Sequence, residues 1–167
     1  AMATPTQKAV RTMQTLLADP TKGLTASIAL LRDYPEQAEA LLDERQMGSL
    51  QAPPELHDRV GKAAQPAYQV YVEKVRNKMT EKFRRFSGTV DVVVEVRVSQ
   101  DRLEGLTEAL QFYADAVTDV VEKSRGCVAE GVYLPGTYEV SFEAVKKGGL
   151  NVMQTARVKC ELEVSRN

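Results

Sequence analysis

The sequence predicts an α+β fold: an antiparallel four-stranded sheet with helices packed on one face, in the order α-α-β-β-α-β-β. Three observations carry this expectation. "TVDVVVEVRVS" sets Val90, Val92, Val94, Val96 and Val98 on one side of an extended chain, with Asp91, Val93, Glu95, Arg97 and Ser99 on the other. Strict alternation of β-branched residues suits a strand and fits a helix poorly. The stretch after it repeats apolar residues at helical spacing instead, through Leu103, Leu106, Leu110, Tyr113, Val117, Val120 and Val121. The end of the chain then returns to alternation.

Taken in order, residues 5–18 place Val10, Met13, Leu16 and Leu17 on one helical face, and Asp19-Pro20 predicts the stop. A second helical stripe, Leu24, Ile28 and Leu31, runs towards Pro35, and "EQAEALLD" extends the pattern by another turn or two. Residues 45–66 read as a Gly- and Pro-containing connector with one short helical turn near Pro54–Val60. The chain therefore divides into an N-terminal helical segment and connector, 1–65, and a sheet domain, 66–167, within one compact unit. The first strand, "AYQVYVEKV", turns Tyr68, Val70 and Val72 inward, and the valine strand follows it. Asp101 and Glu104 have the spacing of a capping box for the long helix, Gly105 argues for a later start, and Gly126 for its end. "TYEVSFEAV" turns Tyr138, Val140, Phe142 and Ala144 inward, and "TARVKCELEVS" does the same with Ala156, Val158, Cys160, Leu162 and Val164. "KKGGLN" between them is a hairpin signal.

Composition excludes several classes. Among 167 residues there are 22 Lys+Arg and 23 Asp+Glu, a net charge of −1, so no global basic field exists to hold nucleic acid. Cys127 and Cys160 are too few for a disulfide framework and read as buried free thiols in a reducing cytoplasm. No apolar run reaches membrane-spanning length, and the first residues lack the apolar core of a signal peptide, so no membrane partner is expected. The single histidine, His57, lies in the connector without a nucleophile or carboxylate to work with. No zinc-ligand spacing and no phosphate-binding loop is present, so neither metal nor cofactor is expected. Carboxylate pairs such as Glu161/Glu163 and Glu139/Glu143 fall on outward strand positions, which an ordinary solvated surface explains. An enzyme is a poor reading.

The strongest local signal is "KVRNKMTEKFRRFSG", where Lys74, Arg76, Lys78, Lys82, Arg84 and Arg85 face only Glu81. Three readings stand: a solvated hairpin that blunts a sheet edge, a backbone-and-stacking surface for nucleic acid using Tyr71, Phe83 and Phe86, or an electrostatic contact with an acidic neighbour. Phe83 and Phe86, three apart, equally suit one face of a short helix. The outward strand residues Glu95, Arg97, Arg157, Lys159 and Glu161, with Lys146 and Lys147 near the hairpin tip, carry both signs of charge. That suits lateral pairing between subunits, as it would an ordinary wet sheet face.

Element order over residues 66–167, carried by "SGTVDVVVEVRVS", "GLTEALQFYADAVTDVVEKS" and "YEVSFEAVKKGGLNVMQTARVKCELEVS", resembles the tail terminator (tail completion) proteins of tailed bacteriophages. The N-terminal helical part is longer than that family's leading helix. The resemblance implies a structural virion protein, assembled in the host cytoplasm into a homo-oligomeric ring, a hexamer in that family. Such a ring caps the tail tube protein, meets a head connector protein, and lets DNA pass through its opening. Under it, the six basic residues occupy the loop joining the first two strands, against DNA or an acidic partner. Alternatives are a head-completion or head–tail connector ring and, from a different class, a small non-specific nucleic-acid-binding protein.

Overall fold

The computed structural model describes residues 3–31 and 67–167. The expected helical turns beyond residue 31, the connector and His57 lie outside those residues.

Helix α1, Pro5–Ala18, starts where local chemistry dictates. The Thr4 side chain accepts from the Gln7 amide at 3.3 Å, the Gln7 side chain accepts from the Thr4 amide at 3.1 Å, and Pro5 fills the first turn. After Ala18 the Asp19 carboxylate accepts from the Thr21 and Lys22 amides, which hold its pKa below the usual range and fix the turn into α2, Leu24–Leu30. Two long strands follow, β1 (Ala67–Asn77) and β2 (Phe86–Gln100), then α3 (Leu106–Lys123). Five further strands close the described chain: β3 (Gly126–Ala129), β4 (Val132–Leu134), β5 (Tyr138–Phe142), β6 (Lys146–Gly148) and β7 (Asn151–Arg166).

The class is α+β, with an antiparallel sheet and helices on one face, but the sheet has seven strands in the order β1-β2-β7-β4-β3, with β5 and β6 also on β7. The four expected strands are β1, β2, β5 and β7. Two of the extra three arise because β7 is long: β2 pairs with it from Phe86↔Arg166 to Gln100↔Val152, its other edge is tiled by β6, β5 and β4 in turn, and β3 adds to β4 as a hairpin. Three short strands thus do the work of one long one, and β4 and β6, at three residues each, are too short to show alternation.

The inward valines behave as expected. Val90, Val92, Val94, Val96 and Val98 are fully buried against Leu106, Leu110, Tyr113, Val117, Val120 and Val121 of α3 and Met13 and Leu17 of α1. Each such side chain contributes about 1.5–3 kcal/mol of transfer free energy. Ser27 of α2, fully buried, donates to Asp119 of α3 at 2.7 Å and ties the helical layer together.

Several local expectations are corrected. The Asp101/Glu104 box does not cap α3: the helix starts after Gly105, which adopts φ 79, and Leu103 is exposed. Ser124, not Gly126, is the C-terminal cap, and Gly126 opens β3 at φ 117. Tyr138 and Phe142 lie in register with Cys160 and Ala156 on the helix side, yet both stay substantially exposed because β5 runs along a sheet edge. Cys127 is exposed. Cys160 is buried, and burial pushes its thiol pKa up to about 12.

Tyr113 offers a test of the core. Its side chain is fully buried, and its hydroxyl has no hydrogen-bond partner among the described residues. Burying a polar group without a partner costs about 1–3 kcal/mol. Tyr113→Phe is expected to raise stability by about 1 kcal/mol in urea unfolding; a loss of stability would show that the hydroxyl is satisfied.

Candidate functional site: the polar sheet face and the basic hairpin

The face away from the helices is built by the same alternation that buries the valines. Its centre is enclosed: Glu95 is 4% and Arg97 1% exposed, which corrects the expectation that these two stand on an open surface. Glu95 accepts from Gln69 at 3.3 Å, from the Tyr71 hydroxyl at 3.1 Å and from Arg157 Nε at 3.0 Å. Arg157 also pairs with Glu143, which in turn lies 3.8 Å from Lys146. Burial alone would lower the Arg157 pKa, but its bonds to Glu143 and Tyr71 and the Glu95 charge raise it instead. Burial followed by the Glu95 charge raises that of Tyr71.

A second chain of charges runs beside it. Lys159 sits 3.0 Å from Glu73 and 4.0 Å from Asp91, and Arg76 lies 3.8 Å from both Asp91 and Glu161. The Glu73 hydrogen bond is the main reason the Lys159 pKa is raised. Arg157, Lys159 and Glu161 are therefore brought together, but with residues of their own subunit. On exposed β6, Lys146 reaches this network only at its margin through Glu143, and Lys147 makes no ion pair with a described residue. Sequence reasoning missed Gln69, Tyr71, Glu73 and Glu143 as members of these networks; their outward strand parity was the available signal.

A β-bulge positions Arg76. Between Val72 and Lys74 the register with β2 shifts, so Val72 pairs with Val92 but Val75 pairs with Val90. The extra residue swaps the two faces of β1, and Arg76 comes out on the polar side where Asp91 and Glu161 wait. Lys74 and Arg76 accordingly belong to β1, which corrects their expected place in the loop.

The loop proper, residues 78–85, carries Lys78, Lys82, Arg84 and Arg85. Its form is held from below: the Asn77 side chain accepts from the Met79 and Ser87 amides at 3.3 Å each, Ser87 Oγ accepts from the Glu81 amide at 3.0 Å, and Arg84 pairs with Glu81 at 3.1 Å and with Asn167. Met79 adopts φ 50 and Phe83 φ 69, a region costly for side chains of this size, by about 1–3 kcal/mol each. Phe83 is 100% exposed, whereas Phe86 is buried in β2, so the two do not share a helical face. At the opposite end of the sheet, about 50 Å away along fifteen strand residues, Gly149 (φ 66) and Leu150 form the β6–β7 turn, with Leu150 98% exposed.

Beside the basic loop, Ser87, Thr89, Cys127, Tyr133 and Glu163 line an open depression of about 370 Å³. Among the described residues no group of three or more His, Cys, Asp or Glu could hold a metal ion, and no helix is long and apolar enough to cross a membrane. Fold and site together define an α+β protein with a two-sided sheet, apolar under its helices and ion-paired on the other face. Family profiles, curated proteins and solved structures yield no match to this chain.

Proposed function

We propose that this chain is a structural subunit of a virion tail or neck, a tail terminator that forms a ring on the tail tube, meets the head connector and lets DNA pass. The observation that carries this reading is the pairing of a long sheet with exposed apolar tips at both ends, Phe83 between Lys82 and Arg84, and Leu150 three residues after Lys147. A subunit wedged between two different partners needs contact points at opposite ends. Its two sheet edges are also unlike each other, β1 on one side and the short strands along β7 on the other, as head-to-tail contacts within a ring require. The element order that resembles the tail terminator family supports the same reading. A head-completion or connector ring shares these features and differs in binding the portal instead of the tube.

Electron microscopy of the protein mixed with purified tail tubes tests it: rings at one tube end are the expected result, and bare tubes at every protein concentration oppose it. Reversing the loop charge with Arg84→Glu and Arg85→Glu is expected to cut tail joining at least tenfold while leaving the circular dichroism spectrum unchanged. Normal joining by that variant would remove the loop from the mechanism. Binding of free protein to duplex DNA, weakening steeply with salt, would favour the nucleic-acid reading.

A further inference from the structure

We propose that the 78–85 loop of one subunit inserts Phe83, ringed by its basic residues, into the acidic aromatic patch between α3 and β5 of a second copy. This rests on the reading above that copies of the chain associate. The loop's composition argues against duplex DNA as its target. Phosphates lie on the outside of a duplex, so cations alone serve for them, and an exposed phenylalanine gains contact there only where a base step is forced open, at a cost of a few kcal/mol. An aromatic side chain surrounded by positive charge fits an apolar recess with a negative rim.

The chain carries an exposed surface that offers both chemistries, aromatic rings and carboxylates. Tyr138 and Phe142, 37% and 46% exposed, stand on the helix side of β5. Beside them α3 presents Asp115 and Glu122, which make no ion pair with any described residue, and Tyr138 hydrogen-bonds Glu122. Partial burial and then the Glu122 charge raise the Asp115 pKa, the direction that an approaching cation would offset. Loop and patch differ in chemistry and occupy different places on the chain, the loop at the end of the β1–β2 hairpin and the patch where β5 runs along β7. Their contact is therefore heterologous, which lets successive copies close into a ring by rotation. It also selects between partners, since the like-charged faces of two loops or two patches repel.

Photo-crosslinking tests the contact. The variant Phe83→p-benzoylphenylalanine keeps an aromatic ring at a fully exposed position, so folding is not at risk. Rings are assembled on tail tubes from an equal mixture of isotope-labelled and unlabelled chains, irradiated and digested. The expected product joins residue 83 of one copy to a peptide containing Asp115–Glu122 or Tyr138–Phe142 of another. Cross-links only to tube protein, to DNA or elsewhere on the chain overturn the contact. Phe83→Ser is expected to lower ring yield at least tenfold; rings at the usual yield overturn the contact but leave the ring reading intact. Asp115→Lys with Glu122→Lys is expected to restore ring yield to the Arg84→Glu/Arg85→Glu variant, and no restoration counts against it. If the unchanged chain forms no rings, the functional reading falls, and the contact with it.

Discussion

Gly88→Ala is expected to destabilise the protein by about 3 kcal/mol or more, at the upper end of overpacking costs. Gly88 lies between two strands, paired with Asn77 on β1 and Val164 on β7. A Cβ there would fall 1.9 Å from the Arg76 carbonyl oxygen and 2.8 Å from the Lys78 amide nitrogen, both backbone atoms. Backbone cannot rotate away as a side chain can, so β1 must part from β2 at the base of the loop. Lys78–Ser87 pairing, the Asn77 bonds and the reach of Arg76 to Asp91 and Glu161 would all be disturbed together. Urea unfolding gives the stability, and limited proteolysis reports whether cleavage concentrates at residues 76–88. Gly148→Ala is the control: its Cβ would meet nothing within 4 Å, and a change within about 0.5 kcal/mol is expected. Equal midpoints for the two variants would show that β1 accommodates the clash.

Arg157→Leu is expected to cost about 3 kcal/mol, through what it leaves behind. Among the described residues, Glu95, 4% exposed, would keep Gln69 and Tyr71 as donors and lose the charge of Arg157. Breaking a buried pair from one side costs about 3–5 kcal/mol, and the partial exposure of Arg157 places this case at the lower end. The converse change, Glu95→Leu, should cost less, because Arg157 retains Glu143 and is itself about one-third exposed. The double variant should recover much of the Arg157→Leu loss, since no unpaired buried charge then remains. Equilibrium unfolding of all four proteins measures the coupling. A loss below about 1 kcal/mol for Arg157→Leu would mean that the pair behaves like a surface ion pair.

Both expectations depend on features with unequal traces in the sequence. The valine strand and α3 were legible because long runs repeat their period many times, and a wrong assignment would contradict several residues at once. The β3–β4 hairpin was not read: "CVAEGVYL" offers three or four residues a side, and the Glu130-Gly131 turn between them was its only signal. The bulge after Val72 left no trace in composition, since one added residue in β1 is visible only against its partner strand. For the same reason the six basic residues were legible as a cluster but not as two groups, Lys74 and Arg76 on the sheet and the other four on the loop. The exposure of Phe83 was illegible because a phenylalanine three residues before a strand reads equally as an anchor. Its left-handed backbone and the Asn77–Ser87 scaffold beneath it decide otherwise.

The sequence by itself determined which residues alternate, hence the strands, the apolar face under the helices and the charged face opposite, because side-chain parity is a local property of an extended chain. Only the tertiary structure decided how many strands share the long edge of β7, which charges meet across the sheet, and which aromatic stands in solvent. Those outcomes depend on register and on the ends of neighbouring strands, set by contacts such as that between Tyr71 and Arg157, 86 positions apart.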